Sequence, residues 1–407
     1  MTLPQSNHSN LTTWLAPLCV VALALLAHVM GTRLVGDYAQ KIALDCGIAV
    51  IAAVSLTVVN GFTGQFSIGH AAFIAIGSYV SGAITYYTLL ALVGTSLSEP
   101  SLLGARQFLL AASCIVAGLV AAGVGFVVGL PSLRLRGDYL AIVTLGFGEI
   151  VRVLLQQTGP QVFFDEWETA SIPIIPPPLG GALGFVSLPK LTNIFWLFLF
   201  VGVALLAAFR LKYSTHGRAM IAIREDETAA QSMGVPVTKL KVRAFMFGAF
   251  FAGIAGALYA HSGATLRPVD AGFQRSFDVV MMVVLGGLGS ISGAALAAII
   301  ITISGEWLRE PTHLWHLGLG VVAIRLLLAA FDVGPGRTKL LRSLVYIVGF
   351  VALVELARFL AIKADIRLGD YRMVLFAMVL ILLMIFRPNG LFGIHEIWEF
   401  FKKDKRV

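Results

Sequence analysis

Charge is scarce in this 407-residue chain: Asp, Glu, Lys and Arg together supply 13% of it. Soluble domains carry about a quarter charged residues. With 58% apolar residues and a mean hydropathy of +0.87, a soluble enzyme is excluded, and so is a disordered chain. The acids are scarcer still, 22 against 30 bases. No series of them runs through the apolar segments, which weakens an ion-coupled carrier, since a proton or ion relay needs such a series. Cysteine is nearly missing: Cys19, Cys46 and Cys114 stand in or beside apolar runs without CxxC spacing and read as packing residues. HExxH, GxSxG and Walker A motifs do not occur. The chain therefore offers no catalytic constellation and cannot hydrolyse ATP through a phosphate loop. His216, His313 and His316 stand apart from any Cys or acidic cluster, so no metal site is expected. A basic n-region and a cleavage site are also lacking before the first apolar run, so no signal peptide is expected.

What is present is a succession of apolar runs at about 14–30, 42–59, 71–93, 107–130, 139–156, 193–209, 244–262, 277–304, 314–331, 344–360 and 371–387. Each is near the length that spans about 30 Å of hydrocarbon at about 1.5 Å per helical residue. The expected fold is an all-α polytopic membrane protein of about ten to eleven transmembrane or re-entrant helices. It forms one transmembrane domain over residues 1–407. The formal charge of +8 lies in short loops between the runs, where the positive-inside rule puts it. It points to membrane lipid and orientation rather than to nucleic acid.

Two loops set the sidedness. Residues 157–192 carry Asp165, Glu166 and Glu168, then Pro173, Pro176, Pro177 and Pro178, with Lys190 the only base. Residues 210–243 carry Arg210, Lys212, Arg218, Arg224, Lys239, Lys241 and Arg243. The basic loop belongs in the cytoplasm and the acidic, proline-rich loop outside. Counting back places Arg134, Arg136 and the N-terminus inside. Counting forward with 277–304 as one crossing puts Arg337, Lys339 and Arg342 outside, together with the basic tail from Lys402 to Arg406, against the charge rule. The run is interrupted by Gly286, Gly287, Gly289 and Ser290. A broken or re-entrant segment there returns both basic stretches and the C-terminus to the cytoplasm.

Irregular backbone at membrane depth is tolerated only inside protein or along a wet cavity, so glycine-rich interruptions point to a substrate pathway. The stretch 60–70, NGFTGQFSIGH, adds the donors and acceptors of Thr63, Gln65, Ser67 and His70 to its glycines. The second interruption comprises Gly286, Gly287 and Gly289. Close helix packing through small residues is the competing reading for both. Asp45 and Glu149 sit near segment ends, Arg325 lies deeper, and Glu355 with Arg358 has the i, i+3 spacing of a structural pair.

The loop 210–243 is the most informative. Met220, Ile223, Glu227, Ala230 and Gly234 share one helical face, and Gly234 before Pro236 is a helix stop. The spacing predicts one short amphipathic helix over Gly217–Gly234, lying on the surface with an exposed stripe of small residues. Ala229, Ala230 and Gly234 suit docking into a groove better than anchoring in lipid.

ETAAQSMG resembles the EAA coupling motif of ABC importer permeases. The wider IREDETAAQSMGVPVTKLKVRAFMFGAFFAGIAGALYA is similar to the branched-chain amino acid permease family of the LivH/LivM kind. NGFTGQFSIGHAAFIAIGSY, LRLRGDYLAIVTLGFGEIVRVLL, SFDVVMMVVLGGLGSISGA and the closing FRPNGLFG resemble the same family in the same order. GDYLAIVTLGFGEI points to the LivM-like member. The resemblance implies that residues 1–407 form the permease subunit of an ATP-driven importer in a bacterial inner membrane, moving branched-chain or related amino acids by alternating access. Its partners would be a homologous LivH-like permease, two ATPase subunits and an extracytoplasmic solute-binding protein. The chain would bind no cofactor, ATP-Mg being held by the ATPases. Arg224, Glu227, Ala229, Ala230 and Gly234 would belong to ATPase coupling. QVFFDEWETASIPIIPPP replaces the usual glycine-rich external segment. Residues 305–370 read as an insertion with two extra membrane helices. Urea, short-chain amides and aromatic acids are alternative substrates within the family; a stand-alone channel or secondary carrier is the alternative of another class.

Overall fold

A segment crossing hydrocarbon must satisfy its backbone N–H and C=O groups within itself, and an α-helix does so locally. The computed structural model describes residues 10–34, 36–91, 104–132, 138–162, 178–263 and 265–307, with scattered residues between 374 and 397. Its α-helices are α1 (Asn10–Leu34), α2 (Asp37–Leu56), α3 (His70–Ala91), α4 (Ala105–Ser132), α5 (Asp138–Gln156), α6 (Ile194–Tyr213), α7 (Thr215–Glu225), α8 (Glu227–Ser232), α9 (Val237–Ala260), α10 (Phe273–Gly286) and α11 (Ile291–Trp307). Among the described residues, six segments are long and apolar enough to cross a membrane: Asp37–Phe62, His70–Leu89, Ala105–Pro131, Tyr139–Gln156, Ile194–Tyr213 and Val237–Ala260. The apolar runs beyond residue 307 lie outside the described residues, apart from isolated positions in the last one. So do the 305–370 insertion past Trp307, the charges Arg325, Glu355 and Arg358, and the acids of the 157–192 loop. The chain divides into two compact units, Met1–Ile299 with Asn389–Val407, and Ile300–Pro388.

Helix α9 is the centre of the first unit. Its apolar span is 72% buried and that of α2 67%, against 28% for α5 and 33% for α4 and α6. Small residues let the other helices reach it. A Cβ added to Gly253 would lie 2.7 Å from the Ala121 Cβ of α4, and one on Gly256 would lie 2.9 Å from the Ser78 nitrogen of α3. The outer helices turn large apolar side chains away from this centre. Phe108, Leu119 and Val127 on α4 and Tyr139, Ile142 and Ile150 on α5 are exposed, as suits contact with lipid or another membrane chain.

Two local structures differ from a regular bundle. Helix α2 passes at Thr57 into a fully buried π-helical turn, Thr57–Phe62, a form that clusters at functional sites. The apolar run 277–304 is two helices, α10 and α11, joined by a glycine turn. Gly287 (φ 114°) and Gly289 (φ 104°) take conformations rare for other residues. The chain folds back so tightly that a Cβ on Gly286 would meet the Ala294 nitrogen at 2.5 Å.

The loop after α6 corrects the expectation of one surface helix. Asp226 is extended (φ −155°, ψ 110°) and splits it into α7 and α8. Of the shared face, Met220, Ile223 and Ala230 are buried and Glu227 half-buried, whereas Gly234 is exposed. The outward face carries Thr228, Ala229, Gln231, Ser232, Met233 and Gly234.

Candidate functional site

Local side-chain caps start both α7 and α8. The Ser214 hydroxyl accepts from the Gly217 N–H at 3.1 Å and starts α7. The Asp226 carboxylate accepts from the N–H groups of Thr228 (2.9 Å) and Ala229 (3.0 Å) and starts α8. Gly234 closes α8 in the left-handed conformation at φ 81°, with open space where a Cβ would stand. Lys241 of α9 donates to Glu227 at 2.8 Å, and the lysine end is nearly buried. The first turn of α8 is thereby bonded to the base of the central helix.

Arg224 carries the segment into the bundle. Its Nη1 donates to the Gly61 carbonyl at 2.8 Å, while Nε and Nη2 donate to Glu225 at 3.1 and 2.5 Å. Gly64, at φ 68°, lies under the arginine stem, where a Cβ would come within 2.9 Å of Arg224 Cγ. A Cβ on Gly289 would come within 2.8 Å of Arg224 Nη1, and one on Gly61 would meet the Gly289 nitrogen at 2.6 Å. Both glycine interruptions, 228 positions apart between Gly61 and Gly289, thus meet at one guanidinium from the loop.

The polar residues of the first interruption divide into two sets. Thr63 donates to the Val59 carbonyl at 2.7 Å, and His70 Nε2 is 2.8 Å from the Ser55 hydroxyl, so both are used within the bundle. The Asn60 carbonyl oxygen accepts from the Ser67 N–H at 3.2 Å. Asn60 Nδ2, both polar atoms of Gln65 and the Ser67 hydroxyl are buried with no partner among the described residues. Such groups cost about 1–3 kcal/mol each unless water or a ligand satisfies them. The Ile68 and Ala71 N–H groups are capped from α5 and α10, by Thr144 at 3.1 Å and Ser276 at 3.0 Å. Gly286 and Gly287 lie in the α10–α11 turn, where their role is close approach.

A residue not expected from sequence completes the site. Glu396 is fully buried and caps α11, accepting from the N–H groups of Ile291 (3.1 Å) and Ser292 (3.0 Å) and from the Ser292 hydroxyl (2.5 Å). It also pairs with Lys212 of α6, whose ammonium donates to the Gly289 carbonyl at 2.9 Å. Burial pushes the Glu396 carboxyl up, but Lys212 and Ser292 outweigh it and hold the group below its ordinary value. Nearby, the Phe392 N–H donates to the Gly286 carbonyl at 3.2 Å. The closing FRPNGLFG segment therefore seals the glycine turn, and Lys212, counted with the exposed loop bases, is in fact buried. A carboxylate shortly after an apolar ending was the available signal. Among the described residues no group of three or more His, Cys, Asp or Glu could hold a metal.

Residues 38–330 match the family model described as branched-chain amino acid transport system / permease component. The high-affinity branched-chain amino acid transport system permease protein LivM of Escherichia coli K12 is 35% identical over 338 residues, covering 76% of this chain and 73% of the relative. The probable branched-chain amino acid transport permease protein LivM of Methanocaldococcus jannaschii is 29% identical, covering 66% and 80%. The LivH permease protein of Salmonella typhimurium is 25% identical, covering 62% and 79%. No solved structure matches the chain. The glycine breaks, the capped loop and most of the helical unit all fall inside the matched span, and the chain belongs to the branched-chain amino acid transport system permease family.

Proposed function

We propose that this chain is the LivM-like permease subunit of an ATP-driven ABC importer that moves branched-chain amino acids across a bacterial inner membrane. A LivH-like permease, two ATPase chains holding ATP-Mg and an extracytoplasmic binding protein complete the machine. The observation that carries this reading is Arg224, bonded to the Gly61 carbonyl at 2.8 Å and lying against Gly289. A partner that moves α7 and α8 pulls directly on both irregular segments. The outward face from Thr228 to Gly234, with Met233 84% exposed, is the surface offered to the ATPase. Alternating access needs an element with two arrangements whose balance a partner biases, and the π-helical turn and glycine turn are such elements. The unpartnered atoms of Asn60, Gln65 and Ser67 mark the pathway that opens when they part. Glu396 and Lys212 lie at the coupling-loop end of α6, which agrees with a cytoplasmic C-terminus.

The test is a pair of substitutions at Gly234. Gly234→Asn suits the left-handed turn and keeps co-purification with the ATPases and ATP-driven leucine uptake in proteoliposomes. Gly234→Trp fills the open space and abolishes both in a chain that still assembles with the second permease. Uptake and ATPase association unchanged in Gly234→Trp would sink the docking assignment. Uptake of urea in place of leucine would move the substrate within the family.

A further inference from the structure

At the end of α9 away from the coupling loop, a narrow cleft opens between α3, α9 and the approach to α10. Its lining includes Ile74, Tyr79, Tyr259, Leu266, Asp270 and Arg275. Its rim is rigid. Leu266 exchanges both backbone hydrogen bonds with Phe185, at 2.8 and 3.1 Å, and its carbonyl also accepts from the Tyr79 hydroxyl at 3.1 Å. The one-turn helix Pro268–Ala271 then brings Asp270 into the lining. Arg275, in the first turns of α10, places its guanidinium 4.4 Å from the centre of the Tyr259 ring.

The two charges have no ionic partner. Among the described residues neither Asp270 nor Arg275 takes part in an ion pair. The Asp270 carboxylate accepts only a long bond, 3.4 Å, from the Arg267 N–H. The neighbouring charges on α5, Glu149 and Arg152, satisfy each other at 2.6 Å. Tyr259 holds the Arg275 guanidinium by a side-chain hydrogen bond and its ring face without neutralising it. A carboxylate and a guanidinium without ionic partners on one cleft, with an apolar wall from Ile74, Ala75 and Leu266, match the parts of a free amino acid. We infer that this cleft is a transit site for the zwitterion: Arg275 receives the α-carboxylate through a forked hydrogen bond, Asp270 receives the α-ammonium, and Ile74 and Leu266 receive the aliphatic side chain.

In this conformation the cleft has room for about one water, so an amino acid enters only once its walls part, which makes this a gated mouth. The site rests on the transport reading and deepens it, because urea and simple amides lack the opposite charges it would clasp.

The test uses the complete permease–ATPase complex in nanodiscs without binding protein, probed by saturation-transfer NMR. The ligands are leucine, 4-methylpentanoate (which lacks the ammonium) and isopentylamine (which lacks the carboxylate), with empty nanodiscs subtracted. The wild type favours leucine over both analogues. Asp270→Asn weakens leucine about tenfold, the loss of one charge-assisted contact, and no longer prefers it over 4-methylpentanoate. Arg275→Gln does the same with respect to isopentylamine, while Arg275→Lys recovers part of the preference, which a folding defect would not. Equal signals for the three ligands on the wild type, or an unchanged ranking in both variants, would overturn the site. If ATP-driven uptake fails while this ligand ranking holds, the importer reading falls and the site stands.

Discussion

Glu396 is the residue whose removal the rest of the site would feel most. Its carboxylate serves Lys212, two backbone N–H groups and the Ser292 hydroxyl at once. Breaking one side of a buried pair leaves the other charge uncompensated, at a cost of about 3–5 kcal/mol. Glu396→Gln is therefore expected to lower the thermal midpoint of the purified chain clearly, and adding Lys212→Met is expected to return part of the loss. Additive losses in the double variant would show that the two do not act as a pair. The sign with pH follows from the lowered folded-state value. The stabilisation is full above the unfolded carboxyl value and disappears as pH falls through the folded one. Wild-type stability should drop on acidification, and Glu396→Gln should flatten that limb. The pairing was not legible in sequence, because Lys212 and Glu396 are 184 positions apart and nothing local to either names the other.

At the scale of elements, the coupling segment was half legible. Gly234 announced the end of α8, and it does take the left-handed turn. The break at Asp226 was missed because Met220, Ile223 and Ala230 keep helical spacing across it. The competing signal, an Asp able to cap Thr228 and Ala229, was there and won. Asp226→Ala removes that cap, costs about 1 kcal/mol of local stability and lets α8 fray. The expected outcome is faster amide exchange at Thr228 and Ala229, with ATP hydrolysis less dependent on substrate-loaded binding protein. Unchanged exchange would show that docking on α9 through Glu227 and Lys241 suffices to hold α8. The glycine turn at 287–290 was legible for a simpler reason: glycines inside an apolar run are poor helix interior. What it packs against was not.

For the whole molecule, orientation is the open consequence of charge. His395 and Thr265 are both exposed and belong to opposite ends of the unit, the first beside the coupling loop and the second beyond α9. In a chain cleared of Cys19, Cys46 and Cys114, His395→Cys should react with an impermeant thiol reagent only from the cytoplasmic face, and Thr265→Cys only from outside. The reverse pattern would overturn the sidedness drawn from the basic loop. The class of protein, the helix stop at Gly234 and the break at 286–290 were determined by the sequence alone, because apolar length and glycine act over a few positions. Only the tertiary structure decided that Arg224 meets Gly61 and Gly289, that Glu396 seals α11, and that Asp270 and Arg275 share one cleft with Ile74 and Tyr79. Those contacts join segments tens to hundreds of residues apart. They depend on the side-by-side packing of α2, α3, α9 and α10, which no local pattern encodes.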